Sequence, residues 1–312
     1  SGPTGSGKTT TLSTLLNEEN TGKQRIYTVE DPVEYEQSGM GQIDVQTLQP
    51  PSDVDKQKFN PWLEAIKSLL RKDPDVVMIG EIRDPLVAEQ TIQMSISGHS
   101  VYTTLHLESA VQVIERVESF GIEAHKFCSA LRLVLAQRLV PKLCQSCAKE
   151  IPVNFTDPES GIQFFENYGL PKYWGVSMVD LCIKEASSTG CSRCHNRGYK
   201  GYFCILEAFP FRDPTVRKFI SDRISNGRKF TIYDLEKISE DKDWPTLASI
   251  GLNLLRKGLV DLTTMRHLVD IDIEVDKLNK RFEGACIKNG GDIENASRTV
   301  LLQGQRTNKL NM

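Results

Sequence analysis

A glycine-rich run followed by a lysine and threonines opens the chain and has the residue types that hold a polyphosphate. Residues 2–9, Gly-Pro-Thr-Gly-Ser-Gly-Lys-Thr, fit the pattern G-x-x-x-x-G-K-[ST] at every fixed position. In that pattern the backbone N–H groups wrap the phosphates, Lys8 reaches the β- and γ-phosphates, and the Thr9 hydroxyl binds Mg²⁺. The alternative is a chance Gly/Ser/Thr turn, which the helix-forming run directly after it disfavours. The predicted nucleotide-binding residues are Gly2, Thr4, Gly5, Ser6, Gly7, Lys8, Thr9 and Thr10.

Three ionisable side chains are predicted to lie where they can act on a phosphate bound by residues 2–9. Glu30, Glu81 and His106 each stand at the carboxyl end of a predicted strand. Ligands bind beyond these strand ends in open α/β sheets, so the two glutamates are predicted to activate a water or hold Mg²⁺. His106 is predicted to contact the γ-phosphate. The alternatives are a solvated turn around Pro32 for Glu30 and a purely structural role for His106.

Two Cys-x-x-Cys pairs supply four thiolates in the middle of the chain. The pairs are Cys144 with Cys147 and Cys191 with Cys194, and 43 residues separate them. Each pair is spaced for two ligands of one tetrahedral Zn²⁺. The gap exceeds the ~15–20 residues typical of a single-motif zinc site. Doubling a loop costs only ~0.6 kcal/mol, whereas structural zinc supplies ~10–16 kcal/mol. Redox activity is the competing interpretation, and two matched pairs favour metal over it.

The composition argues against membrane-spanning and nucleic-acid-bound classes of protein. The chain has 312 residues, a net charge of −3 and a pI near 6.0, which is not the charge of a protein held on a nucleic-acid backbone. Its hydrophobic content of 39% is typical of a soluble protein, and its apolar runs are far shorter than the ~20 residues that span a bilayer. Eight cysteines in a chain with a phosphate loop predict a reducing cytosol, where thiols hold metal rather than form disulfides.

Helix and strand patterns alternate before the cysteine pairs, and helical patterns follow them. The alternation over residues 1–140 predicts a doubly wound parallel α/β sheet. Predicted helices cover residues 8–16, 60–73, 85–98, 109–121 (with Ser109 as cap) and 124–140, and predicted strands cover 24–29, 42–45, 75–81 and 101–105. A strand is predicted at 198–209 and mainly helix at 213–269. Residues 271–312 are polar and predicted to be disordered.

Four blocks in this order resemble the traffic ATPases of type II secretion and type IV pilus assembly. They correspond to that family's Walker A, Asp box, Walker B and His box, and they are residues 2–9, 28–34, 70–84 and 98–106. The resemblance continues through residues 137–140 (Gln-Arg-Leu-Val), both cysteine pairs, residues 198–201 and the helical stretch 247–269. It therefore covers about residues 1–270.

The resemblance implies a RecA-like P-loop NTPase core with an inserted tetracysteine zinc module and a C-terminal helical subdomain. It implies a homo-hexameric ring on the cytoplasmic face of the inner membrane, attached there through partners. ATP turnover with Mg²⁺ would drive an inner-membrane platform protein that handles pilin or pseudopilin subunits. Pilus retraction motors lack the tetracysteine module, which favours the assembly and secretion branch.

Roles carry over to the matching positions of this sequence. Lys8 would bind the β/γ-phosphates and Thr9 the Mg²⁺. One of Glu30 and Glu81 would activate the attacking water, and the other would take part in the coordination shell of the metal. The resemblance does not determine which residue has which role. Of the remaining matched positions, His106 would sense the γ-phosphate, Arg83 would act at the subunit boundary, and Cys144, Cys147, Cys191 and Cys194 would hold zinc.

Four segments are expected: the ATPase core at 1–140, the zinc module at 141–212, the helical subdomain at 213–270 and the polar tail at 271–312. Residues 50–62 and the tail depart from the family. The strand that feeds the P-loop and the family's N-terminal domain, with its arginines, are expected to be missing upstream of Ser1. Turnover by this chain is therefore expected to be low, since such an arginine can be worth about 10³–10⁵ in rate.

Two other classes of function remain open from the sequence. One is a nucleic-acid-translocating or conjugation-type RecA-like ATPase, which stimulation by single-stranded DNA would support. The other is an inactive fragment that acts only as an interaction module, and a nucleotide-dependent rise in melting temperature would count against it.

Overall fold

The computed structural model describes residues 1–50, 59–153, 155, 157–176, 181–228 and 231–308. The chain divides into two compact units. Unit 1 comprises Ser1–Gln137 with Ala208–Lys242, and unit 2 comprises Arg138–Glu207 with the chain from Asp243 onward. The expected boundaries at 140, 212 and 270 remain predictions, because one compact unit can hold several functional segments. The expected departure from the family at residues 50–62 lies largely outside the described residues.

Unit 1 is built around a parallel sheet, as the alternating pattern predicts. The first part of the chain contains α1 (Lys8–Glu19), β1 (Ile26–Glu30), β2 (Gly41–Asp44), α2 (Pro61–Leu70), β3 (Val76–Ile79), α3 (Pro85–Ile96), β4 (Ser100–Thr103), α4 (Val113–Ser119), α5 (Ala124–Ala130) and β5 (Leu133–Leu143). Four strands pair in the order β2-β1-β3-β4, all parallel. Every residue of β3 is buried, because helices cover both faces of such a sheet. The predicted α/β class is confirmed.

Two helices of unit 1 begin where the sequence predicts, because a side chain caps each one. The Asn60 side-chain oxygen Oδ1 accepts hydrogen bonds from the backbone N–H groups of Trp62 and Leu63 at the start of α2. The Asp84 carboxylate does the same for Leu86 and Val87 at the start of α3. Proline at the first helical position supports both starts, since its missing N–H would have had no partner there.

The helix predicted at 124–140 is wrong beyond Ala130. Residues from Leu133 form β5, which pairs with β8 (Tyr199–Pro210), and the division between the two units falls within both strands. A short apolar run such as 133–136 fits a buried strand as well as a buried helix, so periodicity alone does not separate them. The non-local pairing decides in favour of strand.

The helix predicted to begin at Ser109 instead begins at Val113. The Gln112 side-chain oxygen accepts hydrogen bonds from the backbone N–H groups of Glu108 and Ser109 and holds the preceding residues in a turn. The Gln112 side chain thus stabilises the turn before α4, and among the described residues no side-chain hydrogen bond caps the helix itself.

The segment between the two cysteine pairs folds onto itself within unit 2. It contains β6 (Lys149–Glu150), α6 (Pro158–Asn167) and β7 (Lys184–Glu185), and β8 follows it as predicted. Gly161 of α6 lies so close to Gly175 that an added Cβ would stand 2.8 Å from the Gly175 Cα. Only glycine allows this backbone approach.

Helices account for most of the remaining chain, including the segment predicted to be disordered. They are α7 (Pro214–Ser225), α8 (Ile232–Asp241), α9 (Leu247–Arg256), α10 (Leu262–Leu268), α11 (Ile271–Lys288) and α12 (Ile293–Asn308). The prediction of disorder is therefore wrong for 271–308, and residues 309–312 lie outside the described residues. Ile271, Val275 and Phe282 are buried at helical spacing, so a narrow apolar stripe anchors α11 despite its polar composition.

Candidate functional site

The loop at residues 2–8 is shaped for close approach of its backbone to an anion. Gly7 has φ 84° and caps α1, so the N–H groups of the first helical turn follow the loop directly. A Cβ on Gly2 would lie 2.6 Å from the Gln137 carbonyl oxygen, so this position has room only for glycine. The Lys8 ammonium donates to the carbonyl oxygens of Gly2 and Pro3, at 2.9 Å each. Lys8 therefore lies along the inside of the loop.

The other predicted nucleotide-binding residues lie on the loop or in the first turn of α1. Thr4 and Gly5 are exposed, Thr9 is half-buried and Thr10 is exposed. The Ser6 hydroxyl is buried and has no hydrogen-bond partner among the described residues. A buried hydroxyl without a partner is costly, so this loop fits a ligand that supplies one.

Gln137 supports the loop, and sequence reasoning assigned it no role. Its side-chain amide donates to the Ser6 carbonyl oxygen at 2.6 Å, and its side-chain oxygen accepts from the Thr11 hydroxyl at 2.8 Å. It is 4% exposed, so both bonds are made away from water. The available signal was the polar pair Gln137 and Arg138 inside the otherwise apolar stretch 133–140.

Parallel register brings the ends of β1, β3 and β4 to one edge of the sheet. Val29 is aligned with Ile79, and Ile79 with Thr103. The alignment continues past the strands, because the Gly80 N–H donates to the Val29 carbonyl and the Thr104 hydroxyl donates to the Gly80 carbonyl. Glu30, which ends β1, and the residues that follow β3 and β4 therefore leave the sheet side by side.

An ionic cluster forms at this edge around Glu81. Its carboxylate contacts the Arg83 guanidinium and lies 3.4 Å from His106 Nε2. Arg83 also lies 4.0 Å from the Asp31 carboxylate. The Glu81 side chain is 15% exposed, whereas those of Arg83 and His106 are half or more exposed. One largely shielded acid thus faces two exposed basic groups.

Glu30 makes a separate set of contacts. It is 6% exposed, and its Oε1 accepts hydrogen bonds from the Thr28 hydroxyl at 2.6 Å and from Gln42 Nε2 at 3.1 Å.

The loop and the ionic cluster meet where the Gly2 N–H donates to the Leu105 carbonyl, one residue before His106. Glu81 contacts both Arg83 and His106, while Lys8 and Glu30 bond to other groups.

The four cysteines predicted to bind metal form one cluster in unit 2, and all their Sγ atoms lie within 4.8 Å of one another. Separations of 3.8–3.9 Å join Cys144 to Cys191, Cys147 to Cys194, and Cys191 to Cys194. A tetrahedral zinc site with Zn–S bonds of about 2.3 Å has sulfur atoms about 3.8 Å apart, so the thiols present fit this ion.

Backbone donors favour charge on one of these thiols. Burial alone would raise the pKa of Cys194, but N–H groups, including those of Cys191 and Gly198 at 3.2 and 3.3 Å, lower it to about 6. Burial and hydrogen bonds from the other three thiols raise the pKa of Cys147 to about 12. Negative charge in the cluster is therefore favoured at the Cys194 sulfur, and a cation bound among the four sulfur atoms would stabilise it.

A phosphate-type loop at the start of a helix, with acids at the ends of neighbouring parallel strands, defines the P-loop class of α/β fold. The fold resembles the crystal structure of the pilus retraction motor PilT with bound ADP, with a TM-score of 0.58 and 20% identity over 89% of this chain and 62% of that one. This likeness supports the RecA-like fold.

Sequence comparison gives the family. Residues 1–266 match the family described as Type II/IV secretion system protein. The chain is 36% identical to the type II secretion system protein E of Aeromonas hydrophila over 84% of this chain, and 34% identical to the type IV pilus assembly ATPase PilB of Thermus thermophilus over 88%. It spans 46% and 27% of the length of these two relatives. The chain therefore belongs to the type II/IV secretion system protein family.

Within the part of the chain that the structure describes, none of the helices has both the length and the apolar character needed to cross a bilayer.

Proposed function

We propose that this chain carries the ATP-binding and ATP-hydrolysing part of a cytoplasmic motor for type II secretion or type IV pilus assembly. Hydrolysis would be coupled to pilin or pseudopilin polymerisation and to protein export. The observation that carries the proposal is the contact of Glu81 with Arg83 and His106, at the sheet edge that the phosphate loop joins. The names of the two relatives, which include secretion and pilus assembly, support the same assignment.

The loop residues bind and orient the triphosphate in this proposal. The N–H groups at the start of α1 and the positive end of its dipole favour an anion. Lys8 exchanges the carbonyl oxygens of Gly2 and Pro3 for charged phosphate oxygens, which form stronger hydrogen bonds with an ammonium group. The buried Ser6 hydroxyl gains the partner that it lacks. Thr9 would contribute its hydroxyl to Mg²⁺, and the ion would supply positive charge beside the β/γ-phosphates.

The side chains at the strand ends act on the γ-phosphate and the attacking water. One of Glu30 and Glu81 orients that water and accepts its proton, and the other holds water in the metal shell. His106 contacts the γ-phosphate, and its bond to Glu81 holds the imidazole in place. The Arg83 side chain is 65% exposed although it contacts Glu81, which suits a contact with a neighbouring subunit.

The remaining parts of the proposal concern assembly. Zinc at the four cysteines would tie the segment between the pairs to the rest of unit 2. Six copies would form a ring at the cytoplasmic face of the inner membrane, held there by a platform protein that works with pilin-like subunits. Both expectations come from the resemblance of the motifs to assembly and secretion motors.

Nucleotide binding and hydrolysis by Lys8→Ala test the proposal. Saturating Mg-ADP should raise the melting temperature of the unaltered chain, since a ligand at 100 times its Kd adds about 2.7 kcal/mol of stability. Losing hydrogen bonds to a charged group costs about 1.5–3 kcal/mol, so Lys8→Ala should bind about 10- to 100-fold more weakly. Lys23→Ala, at an exposed lysine, is the matched control.

Equal nucleotide affinity of Lys8→Ala and the unaltered chain would refute the proposed site. ATP hydrolysis that single-stranded DNA accelerates would instead support a nucleic-acid motor.

A further inference from the structure

The Glu30 carboxylate is held on one side only. The Thr28 hydroxyl and the Gln42 side-chain amide both donate to Oε1, and among the described residues no hydrogen bond reaches Oε2. Thr28 lies two residues before Glu30 on the same face of β1. Gln42 on β2 is the aligned partner of Thr28. Two donors on one oxygen fix the rotation of the carboxylate and present the other oxygen in a defined direction.

The Gln42 amide is itself fixed in orientation. Its NH₂ group donates to Glu30 and to the Tyr35 carbonyl at 2.9 Å, and its oxygen accepts from the Gln37 backbone N–H at 2.7 Å. Turning the amide over would set its oxygen against a carboxylate and a carbonyl, so the hydrogen bonds specify which end faces Glu30.

A further link connects this arrangement to the helix that carries the phosphate loop. The Gln37 side-chain amide donates to the Ser13 hydroxyl. Ser13 lies in α1 four residues after Thr9, hence on the same helical face. Ser13, Gln37, Gln42 and Glu30 therefore form a continuous path, which we call the glutamine link, from the phosphate-loop helix to the carboxylate.

We propose that Thr28 and Gln42 are positioning residues that fix the orientation of the Oε2 atom of Glu30. We further propose that the glutamine link couples this orientation to the position of the helix that follows the phosphate loop. The role rests on the proposed function, because it requires Glu30 to act on water or on the metal shell. A misplacement of about 1 Å can reduce turnover about 10²-fold, so the loss of either donor should reduce kcat strongly. Nucleotide binding should change little, because neither side chain lies on the phosphate loop.

A merely structural role is the competing explanation. A buried carboxylate needs donors whether or not it takes part in a reaction, because burial without them is costly. That role predicts lower stability with no selective effect on kcat, so the separation of kcat from nucleotide affinity decides between the two.

The kinetic test compares Thr28→Val and Gln42→Met with the unaltered chain in ATP hydrolysis and Mg-ADP binding. We expect kcat to fall about 100-fold in each variant while the Mg-ADP dissociation constant stays within about threefold. Thr28→Ser keeps the hydroxyl and should retain activity. Gln163→Met makes the same change at an exposed glutamine and should behave as the unaltered chain. Unchanged kcat in both variants, or equal losses of kcat and affinity, would overturn the proposal.

A thermal double-mutant cycle tests the step of the glutamine link between Gln42 and Glu30, and it does not require activity. The loss of melting temperature caused by Gln42→Met should be at least halved in a Glu30→Ala background, because the two side chains are coupled. Additive losses would overturn the link. If the unaltered chain does not hydrolyse ATP while the losses of melting temperature are non-additive, that result would count against the proposed function but not against the link.

Discussion

Replacing Cys144 and Cys191 with serine removes one thiolate from each pair, and the structure gives the size of the expected effect. Three of the separations between Sγ atoms are 3.8, 3.9 and 3.8 Å, which already match the ~3.8 Å edge of a tetrahedral zinc–thiolate site. Little rearrangement is needed, so most of the ~10–16 kcal/mol that structural zinc supplies is available to stabilise unit 2.

The long gap between the pairs does not change this estimate. A gap of 43 residues is between one and about one and a half doublings of the usual ~15–20, and each doubling costs ~0.6 kcal/mol. Two remaining thiolates do not complete a tetrahedral site. We therefore expect about one zinc per unaltered chain and essentially none in the double variant. Even ~3 kcal/mol of lost stability would lower the melting temperature by about 6–12 °C.

Metal content by atomic emission spectroscopy and thermal unfolding measure these two quantities. Cys204→Ser, at an exposed cysteine outside the cluster, is the matched control and should keep both the zinc and the melting temperature. The reasoning is refuted if the unaltered protein neither carries zinc when purified nor binds it when it is added.

Three further predictions concern packing and capping. Gly161→Ala places a Cβ 2.8–2.9 Å from Gly175 backbone atoms and should lower the free energy of unfolding in urea by about 1–3 kcal/mol. The control Gly284→Ala, in open space within α11, should be neutral or stabilise by about 0.5–1 kcal/mol. Equal effects of the two substitutions would contradict the close approach of Gly161 to Gly175. Phe282→Ala, at a 3% exposed side chain, should cost about 3–5 kcal/mol, and a cost below about 1 kcal/mol would mean that α11 does not pack as described. Asp213→Ala removes the cap of α7 and should cost about 1 kcal/mol at pH 7. Burial acts to raise the pKa of Asp213, but N–H groups in the first turn of α7 outweigh it and lower the pKa, so this contribution is present above the unfolded-state pKa and is lost as pH falls. Melting temperatures of the two proteins should therefore converge between pH 7 and about pH 3, and a constant gap would contradict the capping role.

The sequence by itself determined the features whose geometry depends on short spacing. A Gly-x-x-x-x-Gly-Lys-Thr loop and a Cys-x-x-Cys pair each bring their own residues together, because a few residues of backbone leave few alternatives. The helix starts at Asn60 and Asp84 were predictable for the same reason, since a cap acts over two or three residues. The parallel sheet also followed from alternation of apolar strands with helices.

Only the tertiary structure decided which distant residues meet. Gln137 bonds to the loop carbonyl of Ser6 across 131 positions, and Gln42 reaches Glu30 because β2 pairs with β1 in one particular register. The same cause explains the errors at 131–140 and 271–308. An apolar run becomes a strand only when another strand pairs with it, and a polar helix such as α11 is stable only when its narrow apolar stripe has a surface to cover.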